Sequence, residues 1–226
     1  MLDIIRNISI KNKYKNAQLI IWDLDETLFF SNKIIKLSRY TYFLLYLKNN
    51  LHKNNKFKHV LESFLIKEKE SRWFEIIAND FNITFNEAMI IAENIIKKEN
   101  YIQKNDKLVS FFNKSDKKHI VLTNSSTNGA KKILRSLGFE HFNDFADILG
   151  IDLLVSPKPE IKVLKDIVNK YSIPCDKCLV IGNSFKDDLD PALKLNMKVI
   201  HISNQPENYR LNSIKSINKL VDWIYE

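Results

Sequence analysis

The chain contains no apolar run long enough to span a bilayer. Its densest apolar stretches, residues 42–47 and 19–22, fall well short of the ~20 residues that a membrane helix requires. Glycine and proline are scarce, at 4 and 5 of 226 residues, and with 45% hydrophobic and 27% charged residues the composition excludes collagen-like and disordered architectures. The N-terminus has no continuous apolar core ahead of a small-residue cleavage site, so it does not read as a signal peptide. Only two cysteines occur, Cys175 and Cys178, in one CxxC. Without two further Cys or His ligands nearby they make a poor zinc site. Because Cys178 opens the apolar run Cys-Leu-Val-Ile, it is expected to be a buried or half-buried thiol. No feature demands an oxidising compartment, and a cytoplasmic location is the expectation.

Charge of one sign is in excess. Thirty-five Lys+Arg against 27 Asp+Glu gives a net charge of +8, which attracts anions in general. The basic residues are mostly Lys, are spread along the chain and form no arginine-rich run or known binding module, so a nucleic-acid partner is not expected. At roughly 150 residues per domain, the length allows one large domain or a core carrying a smaller insertion.

Five short apolar runs read as strands: 19–22, 119–122, 153–155, 179–181 and 198–202. Between the later ones lie helical patterns. Residues 130–137 place Ile133, Leu134 and Leu137 on one face, with Gly138 where a helix C-terminus favours a left-handed residue. Residues 160–171 carry Ile161, Leu164, Ile167 and Val168 at the same spacing. Strands alternating with helices predict an α/β fold, a Rossmann-like, doubly wound parallel sheet covered on both faces. Residues 32–105 instead show helical periodicity throughout, with candidate helices at 34–51, 56–67, 71–80 and 86–98. Ser71 is a candidate cap for the third, and Thr84 or Asn86 for the fourth. The expected organisation is a core of 1–31 and 106–226 with an all-helical domain, 32–105, inserted between its first and second strands. Aromatic residues in 40–46, at helical spacing, read as core of that insertion in preference to a stacking wall for a nucleobase.

Four polar clusters follow predicted strands. In extended chain, side chains two apart share a face, so Asp23, Asp25 and Thr27 are expected to point the same way. Two neighbouring carboxylates repel unless a cation neutralises them or one is protonated. The second strand empties into Thr123-Asn124-Ser125-Ser126 and then a helix, a place where backbone N–H groups can hold a phosphate; Ser126 or Thr127 can instead simply cap that helix. Ser156-Pro157-Lys158-Pro159 fixes a lysine between two prolines. Gly182-Asn183-Ser184 leads into Asp187-Asp188, either a cation site or an acidic first helical turn favoured by the macrodipole. All four lie at the carboxyl ends of predicted parallel strands, where doubly wound sheets bind ligands.

These residues resemble the motifs of the haloacid dehalogenase superfamily: Asp23-Leu24-Asp25-Glu26-Thr27, Thr123-Asn124-Ser125, Lys158-Pro159, and Gly182-Asn183-Ser184 with Asp188. The resemblance runs from about residue 18 to 202, and the helical insertion looks like the cap of many members. It implies a Mg²⁺-dependent phosphatase acting on a small phosphorylated metabolite. Asp23 would be the nucleophile that forms an aspartyl phosphate, and Asp25 the general acid and base. Thr123, Asn124, Ser125 and Lys158 would bind the phosphoryl group, with Thr123 and Lys158 also neutralising charge in the transition state. The metal set would be Asp23, Asp25 through its backbone carbonyl, Asn183 and Asp188, the last anchoring metal-bound water or Lys158, with Asp187 competing for that role. Members that remove halide lack an Asp at the position of Asp25, so its presence argues for phosphoryl transfer. The sequence departs from the pattern at Asn183, a neutral oxygen donor where Asp is usual. The alternatives are a phosphomutase of the same family, or a catalytically silent binding protein on the same fold.

Overall fold

Residues 2–52, 73–203 and 213–225 are described by the structure, a computed structural model. They divide into two compact units, residues 1–30 with 102–226 and residues 31–101. The first unit is built on a six-stranded sheet formed by β1 (Leu19–Trp22), β2 (Lys118–Leu122), β3 (Asp147–Leu149), β4 (Cys178–Gly182), β5 (Lys198–Ile202) and β6 (Ser213–Ile214). The spatial order is β3-β2-β1-β4-β5-β6 and all neighbours are parallel. This is a Rossmann-like, doubly wound α/β fold. Strand order reverses beside β1, whose Trp22 is level with Val121 of β2 and Ile181 of β4. The residues that follow these three strands therefore emerge together at the topological switch point, the usual ligand crevice of such sheets.

The near-continuous apolar strands are explained by burial on both faces. Leu19 and Ile21 join Ile120, Leu122, Val180 and Val199 against α7 (Ile161–Tyr171) and α8 (Asp190–Lys194), which contribute Val163, Leu164, Ile167 and Ala192. On the opposite face Trp22 packs edge-on to Phe111 and tilted on Phe112 of α5 (Asp106–Lys114). Tyr14 of α1 (Leu2–Lys15) and Tyr225 of α9 (Ile217–Tyr225) reach the Phe111 ring as well. The Trp22 indole N–H donates to Nδ1 of His119, 2.9 Å away. Burial pulls the His119 pKa down to about 4.

Helix ends follow the chemistry of their caps. In α6 (Thr127–Leu137) Ser126 accepts from Gly129 N, and Gly138, at φ 109°, closes the other end. Cys178 is buried and Cys175 half-buried, both as free thiols, and burial pushes the Cys178 thiol up to about 11. The third strand differs from expectation. Residues 153–155 form no strand; β3 lies six residues earlier, and Leu153 and Val155 are 61% and 77% exposed. At Gly150 the backbone passes so close to α6 that an added Cβ would sit 2.1 Å from Thr127 N. The chain leaves the sheet there in a 3-10 turn, Ile151–Leu153. The true strand lacks an apolar run because it opens with Asp147, which accepts hydrogen bonds from Lys170 and Tyr171.

The second unit is helical among its described residues: α2 (Asn32–His52), α3 (Trp73–Phe81) and α4 (Phe85–Ile96). Its own core gathers Tyr42, Tyr46, Ile76, Ile77, Ala88, Ala92 and Ile96, so part of the aromatic stretch is interior, whereas Tyr40 is exposed. Thr84 caps α4 in a full capping box with Glu87. The candidate helix 56–67 and the Ser71 cap lie outside the described residues. No helix among those described is long and apolar enough to cross a membrane.

Candidate active site

The site assembles from residues just past the ends of β1, β2 and β4 and from the loop before α7. Asp23 extends β1 by one main-chain bond, its N–H donating to Ile181 O at 2.9 Å. The chain then turns back, so Thr27 does not continue the expected extended alternation. Glu26 takes a left-handed conformation, φ 59°, and Leu28 N bonds to Leu24 O. Thr27 still reaches Asp23, but across this turn, with Oγ1 donating to Asp23 Oδ2 at 2.7 Å.

Lys158 Nζ lies between two carboxylates, 2.6 Å from Asp23 Oδ1 and 2.6 Å from Asp188 Oδ1. All three residues are buried. Burial disfavours the charged form of Lys158, but Asp188 and Asp23 more than offset it and hold the ammonium above its ordinary pKa. Burial raises the Asp23 pKa, and Asp188 adds to the effect against the opposing Lys158 and Thr27. Asp188 spends its second oxygen on the Ser184 N–H, at 3.0 Å. Of the two adjacent aspartates it is therefore Asp188 that contacts the lysine, while Asp187 donates its N–H to Ser184 Oγ. Gly182 is required for this packing, because a Cβ there would lie 2.4 Å from Asp188 Oδ2.

The loop after β2 distributes its polar groups more widely than a simple phosphate cradle. Thr123, 1% exposed, accepts the Ser125 N–H on Oγ1 at 3.0 Å. Ser125 Oγ donates to Asp25 Oδ2 at 3.0 Å, and Asn124 bonds the main chain of Lys158. At the N-terminus of α6 the Thr127 N–H is taken by Asp152 and the Gly129 N–H by Ser126. Asn183, at the end of β4, is half-buried, and its carbonyl is 2.9 Å from His201 Nε2. His201 went unnoticed in the sequence. It follows from strand register alone, which sets Gly182 beside His201, and no local motif carries that signal. Asn183 and Thr27 also line a cavity of about 680 Å³ whose wall includes Phe29, Lys104 and Lys215.

The donor set suits a hard divalent cation. Asp23 and Asp188 set two carboxylates against the one ammonium of Lys158, an excess of negative charge in buried surroundings. Among the described residues no three His, Cys, Asp or Glu side chains converge on one point. A metal here would thus combine the Asp23 carboxylate with neutral oxygens, the Asp25 carbonyl and the Asn183 amide, which Mg²⁺ accepts.

A doubly wound sheet with an acidic, lysine-bridged cluster at its switch point defines an α/β protein with a ligand crevice at the ends of β1, β2 and β4. Residues 17–195 match the haloacid dehalogenase-like hydrolase family, and the chain belongs to it. A HAD phosphatase of Thermococcus onnurineus has the same fold, with a TM-score of 0.66 and 16% identity over 91% of this chain and 96% of that one. A 2-haloacid dehalogenase of Pseudomonas syringae pv. Tomato DC3000 follows at 0.54 and 18%, over 92% and 98%. Phosphatases and dehalogenases share the architecture, so the fold alone does not choose between them. A phosphate acyltransferase of Aster yellows witches'-broom phytoplasma (strain AYWB) is 26% identical over 151 residues, 67% of this chain and 40% of that relative's length.

Proposed function

We propose that the protein is a Mg²⁺-dependent phosphatase that hydrolyses a small phosphorylated metabolite through an aspartyl phosphate on Asp23. The observation that carries this reading is the pair of aspartates after β1 in two different environments: Asp23 buried against Lys158, and Asp25 half-buried and held by Ser125. A nucleophile and a general acid–base need such a division of roles. A dehalogenase needs no protonation of its halide leaving group, so the second aspartate favours phosphoryl transfer.

In the first displacement an Asp23 oxygen attacks phosphorus, the bond to the leaving oxygen breaks, and the Asp25 carboxyl protonates that oxygen. Each Asp23 oxygen has a second lone pair beyond the one engaged by Lys158 or Thr27. In the second displacement the Asp25 carboxylate takes a proton from water, the water oxygen attacks phosphorus, and the bond to Asp23 breaks. Lys158 and the Thr123 hydroxyl offset charge on the equatorial oxygens. Asp188 holds Lys158 in place. Mg²⁺, held by Asp23, the Asp25 carbonyl and Asn183, would add electrostatic neutralisation of the phosphoryl group when bound. The test is turnover of p-nitrophenyl phosphate by purified protein with Mg²⁺ and with chelator. Release that depends on Mg²⁺ is expected, and its absence in both conditions would refute the reading.

A further inference from the structure

Asn124 is the residue of the β2 loop whose side chain is committed to a single neighbour in two ways. Its Nδ2 donates to Lys158 O at 3.2 Å, and its Oδ1 accepts from Lys158 N at 2.9 Å. Both main-chain polar groups of the lysine are thus gripped by one carboxamide across 34 residues of sequence. The segment that carries Lys158 lies between the 3-10 turn and α7, outside the sheet ladder, and its neighbours Leu153 and Val155 are exposed. Strand pairing therefore contributes nothing to placing it, although Lys158 itself is buried. Yet the ammonium at the far end of a four-carbon stem is placed to within hydrogen-bond distance of two separate carboxylates. A lysine side chain has about 2 kcal/mol of rotamer entropy to lose, so the position of its Cα decides whether that geometry is reached.

We propose that Asn124 is a positioning residue that clamps the Lys158 main chain, and so sets the ammonium between Asp23 and Asp188, and that it is not a contact of the phosphoryl group. The inference deepens the phosphatase reading and rests on it for its kinetic consequence; the clamp itself is separately measurable. Misplacement by ~1 Å costs on the order of 100-fold in rate.

The experiment has two arms. Hydrogen exchange at the Lys158 amide is followed in the wild type, in Asn124→Ala and in Asn124→Asp, which keeps the acceptor and loses the donor. Exchange should accelerate at least about tenfold in Asn124→Ala, with Asn124→Asp in between. Unchanged exchange in a folded variant would overturn the clamp. In the second arm Asn124→Ala should lower kcat on p-nitrophenyl phosphate about 10- to 100-fold. Combined with Lys158→Ala it should add less than about twofold, because a residue acting only through Lys158 has nothing left to position. A full, independent loss in the Lys158→Ala background would mean that Asn124 touches substrate, and would overturn the proposal. If the wild type turned over no phosphate ester, the phosphatase reading would fail, and the exchange arm would still decide the clamp.

Discussion

Asp25 is the residue on which the choice between phosphoryl transfer and dehalogenation turns, and its environment allows a sharp test. Replacing it with Asn keeps the hydrogen bond from Ser125 and the backbone carbonyl but removes the proton carrier. Phosphatase kcat should fall by ~10²- to 10⁴-fold, measured by phosphate release; a loss below about threefold would reduce Asp25 to a structural role. His119 gives a test away from the site. Because Trp22 donates to its Nδ1, the neutral ring must carry its proton on Nε2, an atom buried without a partner. Its pKa lies near 4, below the ordinary 6.5, so between those values the unfolded chain binds a proton that the native state does not. Stability should therefore be lost as pH falls from 6.5 toward 4, by about 3 kcal/mol from this group. NMR of the ring nitrogens checks the cause: a neutral Nε2–H tautomer at pH 5.5 is expected, and a charged imidazolium would contradict it. Asp23, Asp25 and Thr123 were legible as candidates because polar residues follow the apolar runs 19–22 and 119–122, and Lys158 because two prolines flank it. The Asn124–Lys158 and His201–Asn183 contacts were not, since both are made between segments that only the folded sheet brings together.

At the scale of elements, helix ends expose how little glycine the chain uses. Gly138 ends α6 in the left-handed region, but α7 ends in Ser172 at φ 52° and α4 in Lys97 at φ 46°. A side chain in that conformation costs roughly 1–2 kcal/mol. Ser172→Gly should stabilise the protein by about 1 kcal/mol, once the greater chain entropy of glycine is set against the relieved strain. Denaturant unfolding reads this as a higher midpoint at unchanged m, and a midpoint that falls would show that Ser172 makes a contact worth more than the strain. The strands were read from their apolar runs wherever both faces are buried, as in β1, β4 and β5. That signal misplaced β3, where an acidic residue opens the true strand and Leu153-Leu154-Val155, exposed at its first and last residues, imitates one. It also passed over α1, α5 and α9, whose apolar residues match helical spacing but have no motif beside them.

For the whole molecule, the change from strand-helix alternation to unbroken helical periodicity pointed to a separate helical block over 32–105, because the two periods, 2 and 3.6, cannot both describe one segment; the structure divides at 31–101. The role of that block's aromatic residues was not legible, since helical spacing suits a core and a binding wall alike; the structure buries Tyr42 and Tyr46 in the core of that unit and leaves Tyr40 exposed. Metal binding should register across the α/β unit. A ligand that binds only the native state stabilises it by about 2.7 kcal/mol at 100 times its Kd, so Mg²⁺ should raise Tm. Asn183→Asp, which adds a charge to the metal shell, should shift the Mg²⁺ dependence of Tm and of activity to lower concentration. An unchanged midpoint would remove Asn183 from the metal set. The central claim is the covalent intermediate on Asp23, and its most direct measurement is peptide mass spectrometry of enzyme acid-quenched during turnover of p-nitrophenyl phosphate with Mg²⁺. One added phosphoryl group on the peptide containing Asp23, absent from an inactive Asp23→Asn variant, is the predicted result; sustained turnover by Asp23→Asn, or turnover by the wild type with that peptide unmodified, would contradict it.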